Sequence, residues 1–162
     1  MSLQALALSA DSMGVFDTGT ASRVLLPARV VAEREGWTKI AEDKSPSHFN
    51  GDLAFSNGRI TVVLRKAGPG AELYAHGQHG PALRAVLTPI AGESGARPVS
   101  IVVAENTSSE AAVDAVFQMP GGDRAGVRLR LQLGQTFVKT EPRGRVEALR
   151  LAIPCRFAVM PD

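Results

Sequence analysis

The stretch from Asp52 to Arg65, Asp-Leu-Ala-Phe-Ser-Asn-Gly-Arg-Ile-Thr-Val-Val-Leu-Arg, limits what this chain can fold into more than any other segment. It reads as two strands joined at Asn57-Gly58. That dipeptide accepts the positive φ that a tight type I′ hairpin requires at both central positions. A two-residue loop sets Phe55 opposite Ile60 and Leu53 opposite Val62, all on one face. Ala54, Ser56, Arg59 and Thr61 fall on the other. A slip of one residue would mix the two faces, so the pattern and the turn support each other.

The same grammar runs to the end of the chain. Ala71–Ala75, Leu83–Thr88, Val99–Glu105, Ala112–Gln118, Val127–Leu133, Thr136–Thr140, Glu147–Ile153 and Arg156–Met160 all read as strands. Gly- and Pro-rich punctuation separates them at 67–70, 76–81, 92–98, 120–123 and 142–144. Val127-Arg-Leu-Arg-Leu-Gln-Leu133 is the cleanest alternation, with Val127, Leu129, Leu131 and Leu133 inward. Val99–Glu105, rich in β-branched residues, reads as buried on both faces. Pro89 closes one strand. Trp37–Ile40 reads as a first strand and Ala41–Gly51 as a polar loop.

One short helix opens at Leu26-Pro27, with Val30 and Val31 as its apolar stripe and Gly36 as its stop. About ten short strands at regular spacing, joined by short turns, imply an all-β, mostly antiparallel β-sandwich with one short N-terminal helix. Residues 1–20 read as a flexible tail or leader remnant, small and polar but without the basic start of a signal peptide. Residues 21–162 read as a single β-sandwich domain. With its stop directly after an apolar strand, that domain is expected to be a fragment of a longer chain.

Composition narrows the function classes. A net charge of +2 argues against a dedicated nucleic-acid binder. No apolar run reaches membrane-spanning length. The single Cys155 excludes an internal disulfide and reads as a buried structural thiol.

His76-Gly-Gln-His79 is the sharpest local pairing. His48, Asp52 or Cys155 would have to complete a metal site, because zinc needs three or four ligands. No metal or other cofactor is therefore assigned. Paired carboxylates would serve glycoside hydrolysis, but no spacing brings a specific pair together. The Gly-x-Ser-x-Gly elbow is absent, so no catalytic residue is named. Arg128 and Arg130 share an outward face and form a candidate basic strip for an anionic polysaccharide. Aromatics are only 5% of the chain. With Phe55 and Phe117 placed in the core, Trp37 and Tyr74 remain as stacking platforms for a sugar.

The run Phe55-Ser-Asn-Gly-Arg-Ile-Thr-Val-Val-Leu64, with Gly70-Ala-Glu-Leu-Tyr74 and Val127–Glu141, resembles galactose-mutarotase-like supersandwich domains. The resemblance spans residues 50 to 160. It implies a domain of a larger bacterial carbohydrate-processing, cell-surface or uncharacterised protein, extracellular or periplasmic, often without catalytic residues. The expected function is a non-catalytic domain contributing carbohydrate binding or interdomain packing. Its partners would be polysaccharide or other domains of the same polypeptide. Two alternatives stand beside it: a mutarotase- or lyase-like enzyme using His76 or His79 with a carboxylate, and a purely structural or assembly domain.

Overall fold

A computed structural model describes residues 12–46, 48–90 and 96–153. It contains eleven strands in two antiparallel sheets and one short helix. In chain order these are β1 (Gly14–Asp17), α1 (Ala28–Glu33), β2 (Thr38–Lys39), β3 (Leu53–Ser56), β4 (Ile60–Leu64), β5 (Ala71–Gly77), β6 (Gly80–Ile90), β7 (Arg97–Asn106), β8 (Glu110–Gln118), β9 (Arg124–Gln132), β10 (Lys139–Gly144) and β11 (Ala148–Ala152). The seven-stranded sheet runs β11-β6-β5-β4-β3-β1-β2, and the four-stranded sheet runs β10-β9-β8-β7. The all-β sandwich expected from the strand pattern is thus present.

The core lies between the sheets. Leu53, Phe55, Ile60, Val62 and Leu64 meet Val113, Phe117, Val127, Leu129 and Leu131 there. Leu53, Phe55, Ile60, Val62, Phe117, Val127, Leu129 and Leu131 are the residues expected inward, because each strand must bury one face against the other sheet. Leu133 is the exception. It lies past the end of β9 and is 41% exposed. A second cluster, Val31, Ala54, Val63 and Tyr74, covers the outer face of the larger sheet beneath α1. β3 and β4 are buried on both faces as a result.

The opening hairpin keeps its two faces but shifts its register by two residues. Phe55 pairs with Val62 and Ser56 with Thr61. The Asn57 N–H donates to the Ile60 carbonyl at 3.2 Å, so Gly58 and Arg59 occupy the centre of the turn. Asn57 brackets that turn with its side chain. Its Oδ1 accepts from the Arg59 and Ile60 amides at 3.0 and 2.9 Å. Its Nδ2 donates to the Gln132 and Gln135 carbonyls at 2.8 and 2.7 Å, reaching the other sheet. Only Gly58 needs positive φ here, at +84°.

Several expectations are corrected. The tail does not extend through residue 20, because Gly14–Asp17 pairs with both β3 and β2 and Val15 is fully buried. Three backbone amides, of Gly19, Asn50 and Gly51, converge on the Asp17 carboxylate and tie the strand end to the loop before β3. The 76–81 segment is not a loop. β5 continues through His76, which pairs with Pro81, leaving Gln78 and His79 as a tight turn. β6 runs through Pro89, which pairs only with Leu149 because β5 begins opposite Leu87. Pro142 and Gly144 belong to β10, an edge strand that tolerates the missing donor.

β7 is an edge strand, so Val99 and Val102 are 45% and 47% exposed rather than buried on both faces. Pro27 is the cap residue before α1, and the helix ends at Arg34 rather than at Gly36. The proposed burial of Cys155, the Arg156–Met160 strand and the leader-like residues 1–11 lie outside the described residues. Among the described residues no helix is long and apolar enough to cross a membrane.

Candidate functional site

The outer face of the larger sheet carries small polar side chains where an exposed strand would carry charge. Ser56 and Thr61, paired across β3 and β4, are fully buried. Thr61 Oγ1 donates to Ser56 Oγ at 2.9 Å. Arg34 Nη2 donates to the same Ser56 oxygen at 3.0 Å. His76 Nε2 stands 2.8 Å from Thr61 Oγ1. Because the Thr61 proton is already directed at Ser56, the imidazole must donate, which selects the Nε2–H tautomer. Burial, together with the Arg34 charge, holds the His76 imidazole below its ordinary pKa.

Arg34 reaches this site by an unusual route. It closes α1 in the left-handed region at φ 52°, where glycine is the common residue. Its guanidinium lies 4.7 Å from the centre of the Phe16 ring. Burial lowers its pKa. Among the described residues no carboxylate forms an ion pair with it.

A second polar cluster sits deeper on the same face. Arg65 and Glu72 form a buried ion pair, with side chains 5% and 0% exposed. The Tyr74 hydroxyl lies 2.9 Å from both Glu72 Oε2 and the Leu26 carbonyl. Burial and the neighbouring Glu72 charge push the phenol above its ordinary pKa. Nearby, the fully buried Asp52 accepts from the Ser22 and Lys66 amides at 2.8 Å each. These contacts fasten the segment before α1 to the sheet.

The residues singled out in the sequence separate in the structure. Tyr74 is 1% exposed and offers no stacking surface. Trp37 packs on Phe16, ring centres 6.0 Å apart, against the cluster beneath α1. His76 joins the hydroxyl chain, while His79 is exposed on the turn. Among the described residues no group of three metal-ligating side chains forms.

Arg128 and Arg130 do face outward, but not as a free basic strip. Arg128 makes a two-pronged bond to Asp114 at 2.7 and 2.6 Å. Arg130 pairs with Glu105 and Glu110. Lys139 and Arg143 both reach Glu141, at 3.0 and 3.3 Å. Four cations therefore meet four carboxylates, and the face has no net sign from these groups. The ladder does bring two carboxyls together. A hydrogen bond to Glu110 raises Glu105, while bonds from Gln132 and to Glu105 lower Glu110. The pair lies on the outward sheet face around Arg130, with the Glu105 side chain 43% exposed.

Sequence reasoning missed Arg34, Ser56 and Thr61. The signal was there for the last two, since polar residues at strand positions within an apolar hairpin need buried partners.

The other notable surface is apolar. On the inner face, the larger sheet outreaches the smaller one near β11. Ile60, Leu73, Ala75, Ala85, Phe137 and Leu151 line a recess of about 460 Å³. Phe137 is 58% exposed, and Leu151 and Ile153 are each 50% exposed.

No family model, curated protein or solved structure matches this chain. The comparisons therefore do not bear on the galactose-mutarotase-like resemblance.

Proposed function

We propose that this chain is a non-catalytic β-sandwich domain that works by docking another polypeptide, through strand addition at β11. The observation that carries this reading is the contrast between the four sheet edges. An exposed edge invites another strand unless something blunts it. β2 is only two residues long. β10 carries Pro142 and alternating charges. β7 carries Pro98 and two breaks in register, at Pro98/Ser100 and Val103/Glu105. β11, Ala148-Leu-Arg-Leu-Ala152, has no proline, an unbroken register and one charge.

The chemistry of the partner follows from the pleat. Leu149 and Leu151 pair with Pro89 and Leu87, and Leu149 and Leu87 pack on the inner core. A strand added beside β11 would extend that face, so its inward residues must be apolar. Its outward residues would meet Arg150 and favour a carboxylate. This form of recognition combines main-chain hydrogen bonds with alternate side-chain pockets. Sugar binding by stacking has less support, because Tyr74 is buried and Trp37 packs internally. Histidine–carboxylate catalysis has less support too, because His76 meets hydroxyls.

The test is sedimentation velocity of the purified chain over a wide concentration range, beside retention on neutral and acidic polysaccharides. An edge left unguarded among the described residues should self-associate reversibly without its partner, and Leu151→Lys should abolish that. A chain that stays monomeric at every concentration, or retention on a neutral polysaccharide, would overturn the docking reading.

A further inference from the structure

A protein interior fills its space to crystal-like density, so the opening of about 460 Å³ on the inner face is more than packing slack. The sequence makes it. Ala75 and Ala85 stand on the adjacent strands β5 and β6, while Ile60, Leu73 and Leu151 around them are large. Two alanines cannot fill the space between the sheets. Phe137 and Val138, after β9, form the opposite wall, with Phe137 58% exposed. The result is an apolar surface held open to water. Its volume falls within the range of small-molecule pockets, about 300–1,000 Å³, and such pockets are mostly apolar with a few polar groups that fix orientation.

The charges on this wall have one sign. Arg59 and Arg84 line the recess, and among the described residues no Asp or Glu does. Arg84 stands there because the β5–β6 ladder breaks. Leu73 pairs with Ala85 but Tyr74 pairs with Leu83, so Arg84 is an extra residue with no partner opposite. Leu83 packs on the outer cluster with Tyr74, whereas Ala85, two positions on, lines the recess. In an unbroken strand those two would share a face. The bulge lets β6 change faces and turns Arg84 to the recess, and re-aiming a side chain is a recurrent use of bulges. Among the described residues Arg84 forms no ion pair. An apolar cavity with cations and no carboxylate on its wall favours a ligand with an apolar body and one negative group.

We propose that this recess binds an amphipathic carboxylate, an organic acid whose aliphatic body lies against Ile60, Leu73, Ala75 and Leu151 and whose carboxylate meets Arg84. The guanidinium fork matches a carboxylate by two parallel N–H bonds. Each methylene taken out of water should tighten binding by about fourfold until the recess is full. The site lies on the inner face and does not rest on strand addition at β11.

The test is a nuclear magnetic resonance titration of the full chain that follows the methyl signals of Ile60, Ala75, Ala85 and Leu151. The probes are hexanoate, octanoate and decanoate, with decanol, decyltrimethylammonium and acetate beside them, all below micelle-forming concentrations. Saturable shifts should tighten from hexanoate to decanoate, and acetate should give none. Decanol should bind roughly tenfold more weakly than decanoate, the size of one lost charge-assisted contact. Arg84 is exposed, so Arg84→Gln should keep the melting temperature. It should bring decanoate down to the level of decanol and leave decanol unchanged. Ala75→Leu fills the recess and should abolish both. Sedimentation of Arg84→Gln, which leaves β11 intact, separates this site from the docking edge. Decanol or decyltrimethylammonium binding as tightly as decanoate, decanoate binding retained in Arg84→Gln, or no saturable shift with any probe would each overturn the assignment. The last result would mean that another part of the chain or a second copy fills the recess.

Discussion

Asn57 offers the sharpest quantitative test of how the two sheets are joined. Its side chain is fully buried and makes four hydrogen bonds to backbone groups, two within its own hairpin and two across to the end of β9 and the turn after it. Asn57→Ala strands those partners. Each orphaned buried group costs about 1–3 kcal/mol. Relaxation lets some of them find water, so a total of about 3–5 kcal/mol is expected, at the upper end of point-mutant effects. Asn57→Asp is the more telling variant. It is isosteric and keeps the acceptor for the Arg59 and Ile60 amides. It also turns a second oxygen toward the Gln132 and Gln135 carbonyls.

At neutral pH that carboxylate should cost at least as much as alanine. Its folded-state pKa must rise, because the carbonyls repel the charged form. The protonated form is therefore the one the fold accepts. The variant should be most stable below the ordinary aspartate value and lose stability as pH rises through its raised folded value. Urea unfolding of the three proteins at several pH values measures this, provided the slopes agree. Near-wild-type stability of Asn57→Asp at neutral pH, or an alanine cost below about 1 kcal/mol, would refute the role given to this side chain.

Three further outcomes are expected. Arg65→Met should destabilise by about 3–5 kcal/mol because it leaves Glu72 buried without its partner, whereas Arg65→Met with Glu72→Leu should recover most of that in the same urea assay. Gly70→Ala should prevent normal pairing of β5 with β6, since an added Cβ would sit 2.1 Å from the Leu87 carbonyl oxygen; amide exchange across that ladder would report it. Burial opposes the charge on Asp17, but its three amide donors outweigh that and lower its pKa from 3.8, so its stabilisation is complete above that value and fades as pH falls through the lowered one. Asp17→Asn should flatten that acid limb in a pH series of unfolding curves.

The face assignment of nearly every strand was legible because burial enforces a period of two. Phe55, Val62, Phe117 and Leu129 could hardly point elsewhere. Register was less legible. Asn57-Gly58 matches a hairpin centre, but the Asn57 side chain is more useful as a clamp between sheets, and this moves the turn by one position. The prolines misled for a related reason. Pro89 and Pro142 each lack a donor on a side where no neighbouring strand asks for one.

β1 was invisible because four residues carry little periodicity, and its burial depends on β3 lying alongside. Of the candidate site, only His76 was legible. Arg34 is linked to Ser56 across 22 positions, and no local pattern announces that contact. Arg128 and Arg130 were correctly placed outward. Their neutralisation depends on Asp114, Glu105 and Glu110 on adjacent strands, which linear spacing does not display.

The adjacency of β6 and β11 has a kinetic meaning. Everything from β7 to β10 leaves the larger sheet after β6 and returns at β11, and the Glu147 amide meets the Ile90 carbonyl at 3.0 Å where the two ends come together. The smaller sheet is a consecutive meander of neighbouring hairpins, so its pairings are local and quick to form. The stem formed by β6 and β11 must instead close across that whole excursion. Because loop closure grows in cost only slowly with length, the excursion is tolerable, but its stem should form late. The chain should therefore pass through a stage in which both sheets have begun to form while the stem that ties them at this end is still open.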